Sequence, residues 1–189
     1  MKNLKRKLFV ISGSSGVGKS TVIKTFLSKH SGFIFSVSCT TRKIREGEKE
    51  GVNYFYVSKE EFTQSVKNDE FLEWAEFSGN LYGTRKDFVQ KSFSKNKNII
   101  LDIDTQGALQ IKEKMPESVL IFIDPPSYEE LEERLRSRKT ESEEAIQKRL
   151  DFVKLEIKNS KIFDYKIVND KIEQAVSDLE KIVKAEGAL

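Results

Sequence analysis

Three glycines, a lysine and a serine fall at fixed intervals in GSSGVGKS, residues 13–20. Gly13, Gly16 and Gly18 let a backbone curl until several N–H groups point inward at phosphate oxygens, with Ser14, Ser15 and Val17 filling the turn between them. The string fits G-x-x-x-x-G-K-[ST], in which Lys19 would bridge the outer phosphates of a nucleotide and the Ser20 hydroxyl would ligate Mg²⁺. Without a ligand the same string would be a plain strand-to-helix turn. Its flanks favour the ligand, because LFVIS reads as a buried strand and KSTVIKTFLSKH as an amphipathic helix. A purine triphosphate with Mg²⁺ is expected, although the motif alone does not choose among kinases, motors, GTPases and regulators.

A second set of groups lies downstream. SVSCTTRKIREGEKEGVNYFYV carries Arg42 and Arg45, whose planar guanidinium groups could fork onto a second phosphate. Tyr54 and Tyr82 could donate phenolic hydroxyls to the same group. Glu73, in FLEWAEF, has apolar and aromatic neighbours, where a carboxylate is costly unless something satisfies it. NIILDID ends in Asp102 and Asp104, where a carboxylate could hold the water shell of Mg²⁺ or a ribose hydroxyl. Each has an ordinary alternative: solvated loop charges for the arginines, strand packing for the tyrosines, an outward position on an edge strand for Glu73, a turn or cap for the two aspartates.

Positioning these groups requires a scaffold. Apolar runs at 8–11, 98–104, 119–124 and 165–168 suit strands buried on both faces, and helical patterns recur between them and close the chain. That alternation predicts an α/β fold, a parallel sheet flanked by helices. Residues 36 to about 83 break the rhythm with short alternating strands around a helix capped by Ser58 and Glu61, and are expected to form an inserted mixed subdomain. Residues 134–150 are charge-dense and read as two helices joined near Lys139 and Thr140. His30, the one histidine, falls at the end of the first helix as a cap or surface residue. With 33 Lys and Arg against 30 Asp and Glu, the net charge of +3 offers little attraction for nucleic acid or a membrane surface, so any anion site must be local. Cys39 is the only cysteine, which excludes an internal disulfide, and no apolar run suffices for a signal or membrane helix; a cytoplasmic protein is expected.

SGSSGVGKST, the TTR-x-x-R-x-GE string, FLEWAEFSGNLYGT and ILDIDTQGA, in this order and spacing, resemble a guanylate kinase from about residue 7 to 170. The resemblance implies a phosphate-loop NTPase fold in one domain: core 1–35, 85–133 and 156–189, GMP-binding subdomain 36–84 and helical lid 134–155. It implies direct in-line transfer of the terminal phosphoryl group of ATP to GMP, with dGMP a second candidate acceptor, Mg²⁺ as cofactor and no obligate protein partner. By matching position, Gly13 to Thr21 and Asn169 would meet ATP. Ser38, Arg42, Arg45, Tyr54, Glu73, Tyr82, Thr84 and Asp102 would meet GMP, the arginines and tyrosines at its phosphate and Ser38, Glu73 and Thr84 at its base. Mg²⁺ would rest on Ser20 and, through water, Asp102. Lys19 and Arg42, with lid residues Arg134, Arg138 and Arg149, would be catalytic. Two positions depart from the family pattern, Ser14 in place of Pro and Lys139 in place of Gly. A guanylate-kinase-like module that binds without catalysing is the alternative, and the intact Lys19 and Ser20 count against it.

Overall fold

A computed structural model of the chain describes residues 6–14, 16–77, 79–137 and 143–189. In chain order the elements are β1 (Leu8–Gly13), α1 (Lys19–Lys29), β2 (Phe33–Phe35), β3 (Cys39–Thr40), β4 (Phe55–Tyr56), α2 (Lys59–Lys67), β5 (Phe71–Phe77), β6 (Asn80–Arg85), α3 (Lys86–Ser94), β7 (Asn98–Asp102), α4 (Thr105–Lys114), β8 (Val119–Asp124), α5 (Tyr128–Ser137), α6 (Glu143–Asn159), a 3-10 turn (Ser160–Ile162), β9 (Tyr165–Val168) and α7 (Ile172–Ala185).

Among the described residues, five strands form a parallel sheet in the order β2-β7-β1-β8-β9. Successive side chains of a strand point to opposite faces, and here both faces are covered. Phe9 and Ile11 pack with Val22, Ile23 and Phe26 of α1 and Val176, Leu179 and Val183 of α7. Leu8 and Val10 pack on the other side with Val89 of α3 and Ala108 and Ile111 of α4. Burial on both faces is why these strands read as unbroken apolar runs. β2 is short and only Phe33 in it is buried, so the sequence pattern did not mark it as a strand.

A second sheet has the order β4-β3-β6-β5, with β3 parallel to β4 and the other pairs antiparallel. One face packs on α2: Cys39, Phe62 and Phe71 are buried together with Phe55 and Leu81 against them. The expected capping box opens α2, since Glu61 N–H donates to the Ser58 hydroxyl (3.0 Å) and Ser58 N–H to the Glu61 carboxylate (2.8 Å). Core and insertion meet where β5 lies along α4. Gln110 Nε2 donates to the Trp74 carbonyl (2.7 Å) and Lys114 Nζ to that of Leu72 (2.7 Å). α5 and α6 share a small apolar cluster of Leu131, Ile146, Leu150 and Val153. The junction near Lys139 and Thr140 lies outside the described residues.

The carboxyl ends of β1, β7 and β8 lie side by side, with Ile11 opposite Asp102 and Gly13 opposite Ile123. At Gly13 (φ +147°) an added Cβ would overlap the Ile123 carbonyl oxygen. Gly13 is therefore set by strand packing before any ligand arrives. Gly13→Ala is expected to lower the free energy of unfolding in urea by about 2 kcal/mol or more, whereas Gly32→Ala, with open space around it, should stay within about 1 kcal/mol of wild type. Equal urea midpoints for the two variants would contradict this close approach.

Candidate active site

The loop from Gly13 to Lys19 turns with Gly16 (φ +90°) and Gly18 (φ +94°) in the left-handed region. Val17 is buried and anchors the turn, its N–H donating to the Ser14 carbonyl (3.1 Å). Asn169, just past β9, donates from Nδ2 to the Val17 carbonyl (2.6 Å), tying the loop to the far end of the sheet. Lys19 Nζ folds back to donate to the Gly13 carbonyl. α1 has Gly18 at its N-cap, with no side-chain cap and no acid in its first turn, whereas α4 is capped by Asp104, which accepts from Gly107 N–H (2.8 Å). The uncapped N–H groups of α1 and its positive dipole end suit an anion. The Ser14 hydroxyl is buried without a hydrogen-bond partner among the described residues, and Ser20 and Thr21 are exposed on the first turn. Ser15 lies outside the described residues.

The second sheet presents the other groups. Residues directly opposed on neighbouring strands share a face. Cys39 faces Gly83 and Thr40 faces Tyr82, so the register carried one step on sets Ser38 against Thr84, which itself faces Glu73. Ser38, Thr84 and Glu73 thus form a row across β3, β6 and β5. Tyr54, Tyr56, Thr40 and Tyr82 project from the same face, opposite to the one that packs on α2. Glu73 joins this row only because of a β-bulge: Phe71 pairs with Arg85 and Glu73 with Thr84, two residues against one. Simple alternation would have put Glu73 beside Phe71 in the α2 core.

Glu73 is 3% exposed, and burial pushes its carboxyl up to about 7; Thr84 and Lys114 oppose the rise while the Asp104 charge adds to it. The Thr84 hydroxyl is buried with no hydrogen-bond partner of ordinary geometry. The carboxylate rests on Gly107, where a Cβ would lie 2.7 Å from Glu73 Oε2. Glycine there leaves the space that the carboxylate fills.

A run of groups that feel one another's charge connects the two halves. Burial raises the pKa of half-buried Asp102 and the Lys19 charge lowers it. Burial also raises that of Tyr54, with Asp102 and Tyr82 adding and Arg42 opposing. The Tyr54 and Tyr82 rings meet edge to face at 5.9 Å, and the Arg42 guanidinium lies 5.3 Å from the Tyr54 ring centre. Arg42 is bound by Glu48, a residue that sequence reasoning passed over because nothing separates it from the neighbouring loop charges. Arg45 is exposed in the same loop. Arg134 lies in α5 and Arg149 in α6; Arg138 and Lys139 fall outside the described residues. His30 is the C-cap of α1, as one of the two expectations had it, but it is not a surface residue: its ring is half-buried against Phe26 and lies 3.0 Å from Glu180.

The family model for guanylate kinase matches residues 5–186. The chain is similar to the guanylate kinases of Prochlorococcus marinus and Thermotoga maritima, at 48% and 45% identity over 98% of its length and 100% and 89% of theirs. A crystal structure of guanylate kinase from Anaplasma phagocytophilum matches with a TM-score of 0.79 at 36% identity, over 97% of this chain and 87% of that one.

Two expectations follow from the buried carboxylate. Its pKa is about 7 when folded against an ordinary 4.5, so the folded state holds the proton more tightly. Its full contribution to stability is present below about pH 4.5 and is lost as the pH rises through 7, a change of about 3 kcal/mol. Glu73→Gln should abolish that loss, which urea unfolding of both proteins between pH 4.5 and 8 would measure; the same pH dependence in both would exclude Glu73 as the titrating group. Gly107→Ala should push the carboxylate aside, because the end of a side chain yields before backbone does. The expected result is a roughly tenfold or larger rise in KM for GMP with KM for ATP unchanged, and steady-state kinetics with each substrate varied would reveal it.

Proposed function

The chain belongs to the guanylate kinase family and is an ATP:GMP phosphotransferase, and from that premise we propose that its residues divide between two phosphate groups brought end to end. Gly13 to Thr21, braced by Asn169, take ATP. Arg42, Arg45, Tyr54 and Tyr82 take the phosphate of GMP or dGMP. Ser38, Glu73 and Thr84 take the guanine, and Asp102 meets GMP from the core side. Residues 36–84 serve as the GMP-binding subdomain and 134–155 as a lid from which Arg134, Arg138 and Arg149 approach the ATP phosphates. The observation that carries this assignment is geometric: the uncapped glycine loop closes the carboxyl end of β1 beside Asp102 of β7, while Arg42, Tyr54 and Tyr82 gather on one face of the second sheet.

Guanine presents a ring N–H and an exocyclic amine side by side, two donors that one ionised carboxylate can accept together. Adenine offers a ring acceptor there instead. With adenine bound, that pair of charge-assisted bonds is lost, and Glu73, its carboxyl at about 7, is left unpaired or must take up a proton; a site built on such a pair can reject the wrong substrate by roughly 10⁴-fold. The row of Ser38, Thr84 and Glu73 lines up two hydroxyls and a carboxylate, groups able to pair with the edge of a flat base.

The acceptor is itself a phosphate, with a second pKa near 6 by analogy with phosphorylated side chains, and is largely dianionic at neutral pH. One of its oxygens forms a bond to the terminal phosphorus of ATP as the bond to the departing ADP oxygen breaks. No proton has to be removed, so no general base is needed. Lys19 and the arginines offset the repulsion between two polyanions, and closure of the lid keeps water from competing. Mg²⁺ would be held by Ser20 and, through water, by Asp102. Mg²⁺ held this way would complete its shell with water and phosphate oxygens. When bound, the ion neutralises phosphate charge. No described helix is long and apolar enough to cross a membrane, and Cys39 is free and buried; we place the reaction in the cytoplasm.

An assay of ADP release with and without GMP tests the assignment as a whole. Lys19→Met should leave GMP affinity near normal while turnover falls by about 10²-fold or more, because the charge that develops in transfer loses its nearest cation. Turnover within about tenfold of wild type would remove Lys19 from its proposed role.

A further inference from the structure

Glu48 has no task in either half of the proposed site, yet it is the most heavily used acceptor in its loop. Its Oε1 accepts from Arg42 Nη2 (2.8 Å), and its Oε2 from Arg42 Nη1 (3.0 Å), from the Arg45 backbone N–H (2.8 Å) and from the Tyr56 hydroxyl (2.8 Å). Arg42 Nη1 also donates to the Lys43 carbonyl (2.9 Å). The two side chains are 12% and 19% exposed. A guanidinium has five N–H groups in one plane. The bonds above use both protons of Nη1 and one of Nη2. The Nε–H and the second Nη2–H make up the remaining edge, with the Tyr82 side chain also within reach of Arg42, and two parallel donors of that spacing match two oxygens of a phosphate. The Tyr54 and Tyr56 rings, 5.3 and 5.9 Å from the guanidinium carbon, further limit its rotation.

We propose that Glu48 is a positioning residue for phosphoryl transfer: it grips Arg42 end-on, so that the Nε edge of the guanidinium is set toward the GMP phosphate before GMP arrives. This role rests on Arg42 contacting that phosphate, as proposed above. A carboxylate opposite an arginine could instead be an internal substitute for the phosphate, displaced when GMP binds. The bonding pattern favours positioning. Leaving Arg42 would also strip the acceptor from Arg45 N–H and the Tyr56 hydroxyl, and the same contacts hold the Glu48 carboxyl down at about 2, firmly ionised. The two roles predict opposite signs, since a positioning residue strengthens GMP binding and an internal competitor weakens it.

The test is calorimetric titration of GMP, and separately of guanosine, into wild type, Glu48→Gln, Glu48→Asp, Arg42→Ala and the Arg42→Ala/Glu48→Gln pair, with thermal unfolding of each. Glu48→Gln should weaken GMP binding between about tenfold and a hundredfold, leave guanosine within about twofold, and add little once Arg42 is gone. Glu48→Asp, which keeps the charge on a shorter stem, should recover part of the loss; it also supplies the same GMP-against-guanosine comparison should Glu48→Gln not fold. Tighter GMP binding in Glu48→Gln would overturn positioning in favour of competition. An equal loss for guanosine, or a full loss persisting without Arg42, would overturn it in favour of general support of the subdomain. If Arg42→Ala itself left GMP affinity intact, the phosphate assignment of Arg42 would fall first, and this inference with it.

Discussion

A triphosphate and a monophosphate that must be brought into contact repel each other, and the architecture answers that repulsion. Like unit charges about 4 Å apart cost roughly 1 kcal/mol in water and about 4 kcal/mol near a protein surface, and each substrate carries more than one. A net charge of +3 spread over 189 residues cannot offset this, so the cations have to be concentrated. The parallel sheet supplies one concentration: β1 ends at a glycine pressed on β8, and the uncapped start of α1 and Lys19 follow. The inserted sheet supplies the other with Arg42 and Arg45. Between them lies a carboxylate, Asp102, close enough to Lys19 to be stabilised by it.

The inserted sheet meets a different constraint, which is to keep one carboxylate, Glu73, both buried and chargeable. The bulge in β5 turns Glu73 away from the α2 core, Gly107 leaves room for it at the start of α4, and Thr84 stands opposite. Burial raises the carboxyl to about 7, so stability is surrendered at neutral pH for a site whose most favourable partner is a pair of donors. Leu72, the extra residue of the bulge, is not wasted, because it packs into the main core beside α4. A single irregularity in a strand thus turns Glu73 away from α2 and docks β5 on the main core.

Much of the scaffold was legible in the sequence because strands buried on both faces leave unbroken apolar runs, and a glycine string between strand and helix has few other uses. The parallel sheet, α1, α3, α4, α7 and the cap of α2 all follow from such local signals. The bulge does not, since FLEWAEF looks like plain alternation until its partner strand shows where the register slips. Nor does Glu48, which shares its loop with Glu46, Lys49 and Glu50 and is distinguished only by how that loop folds. β2 was missed for a third reason, being three residues at the edge of the sheet with one buried side chain. Pattern speaks for residues whose neighbours in sequence are also their neighbours in space.

The bond from Asn169 to the Val17 carbonyl joins the first and last thirds of the chain. Every strand that pairs with β1 is also distant from it in sequence. During synthesis the glycine loop would emerge early and wait about 150 residues for its brace, roughly 8–30 s at ordinary elongation rates. Contacts of such long range form late because the intervening loop must first be closed. A nascent chain would therefore expose the apolar edges of β1 to chaperones over that interval, and competence to hold nucleotide would arrive only when β9 docks, as one of the last acts of folding.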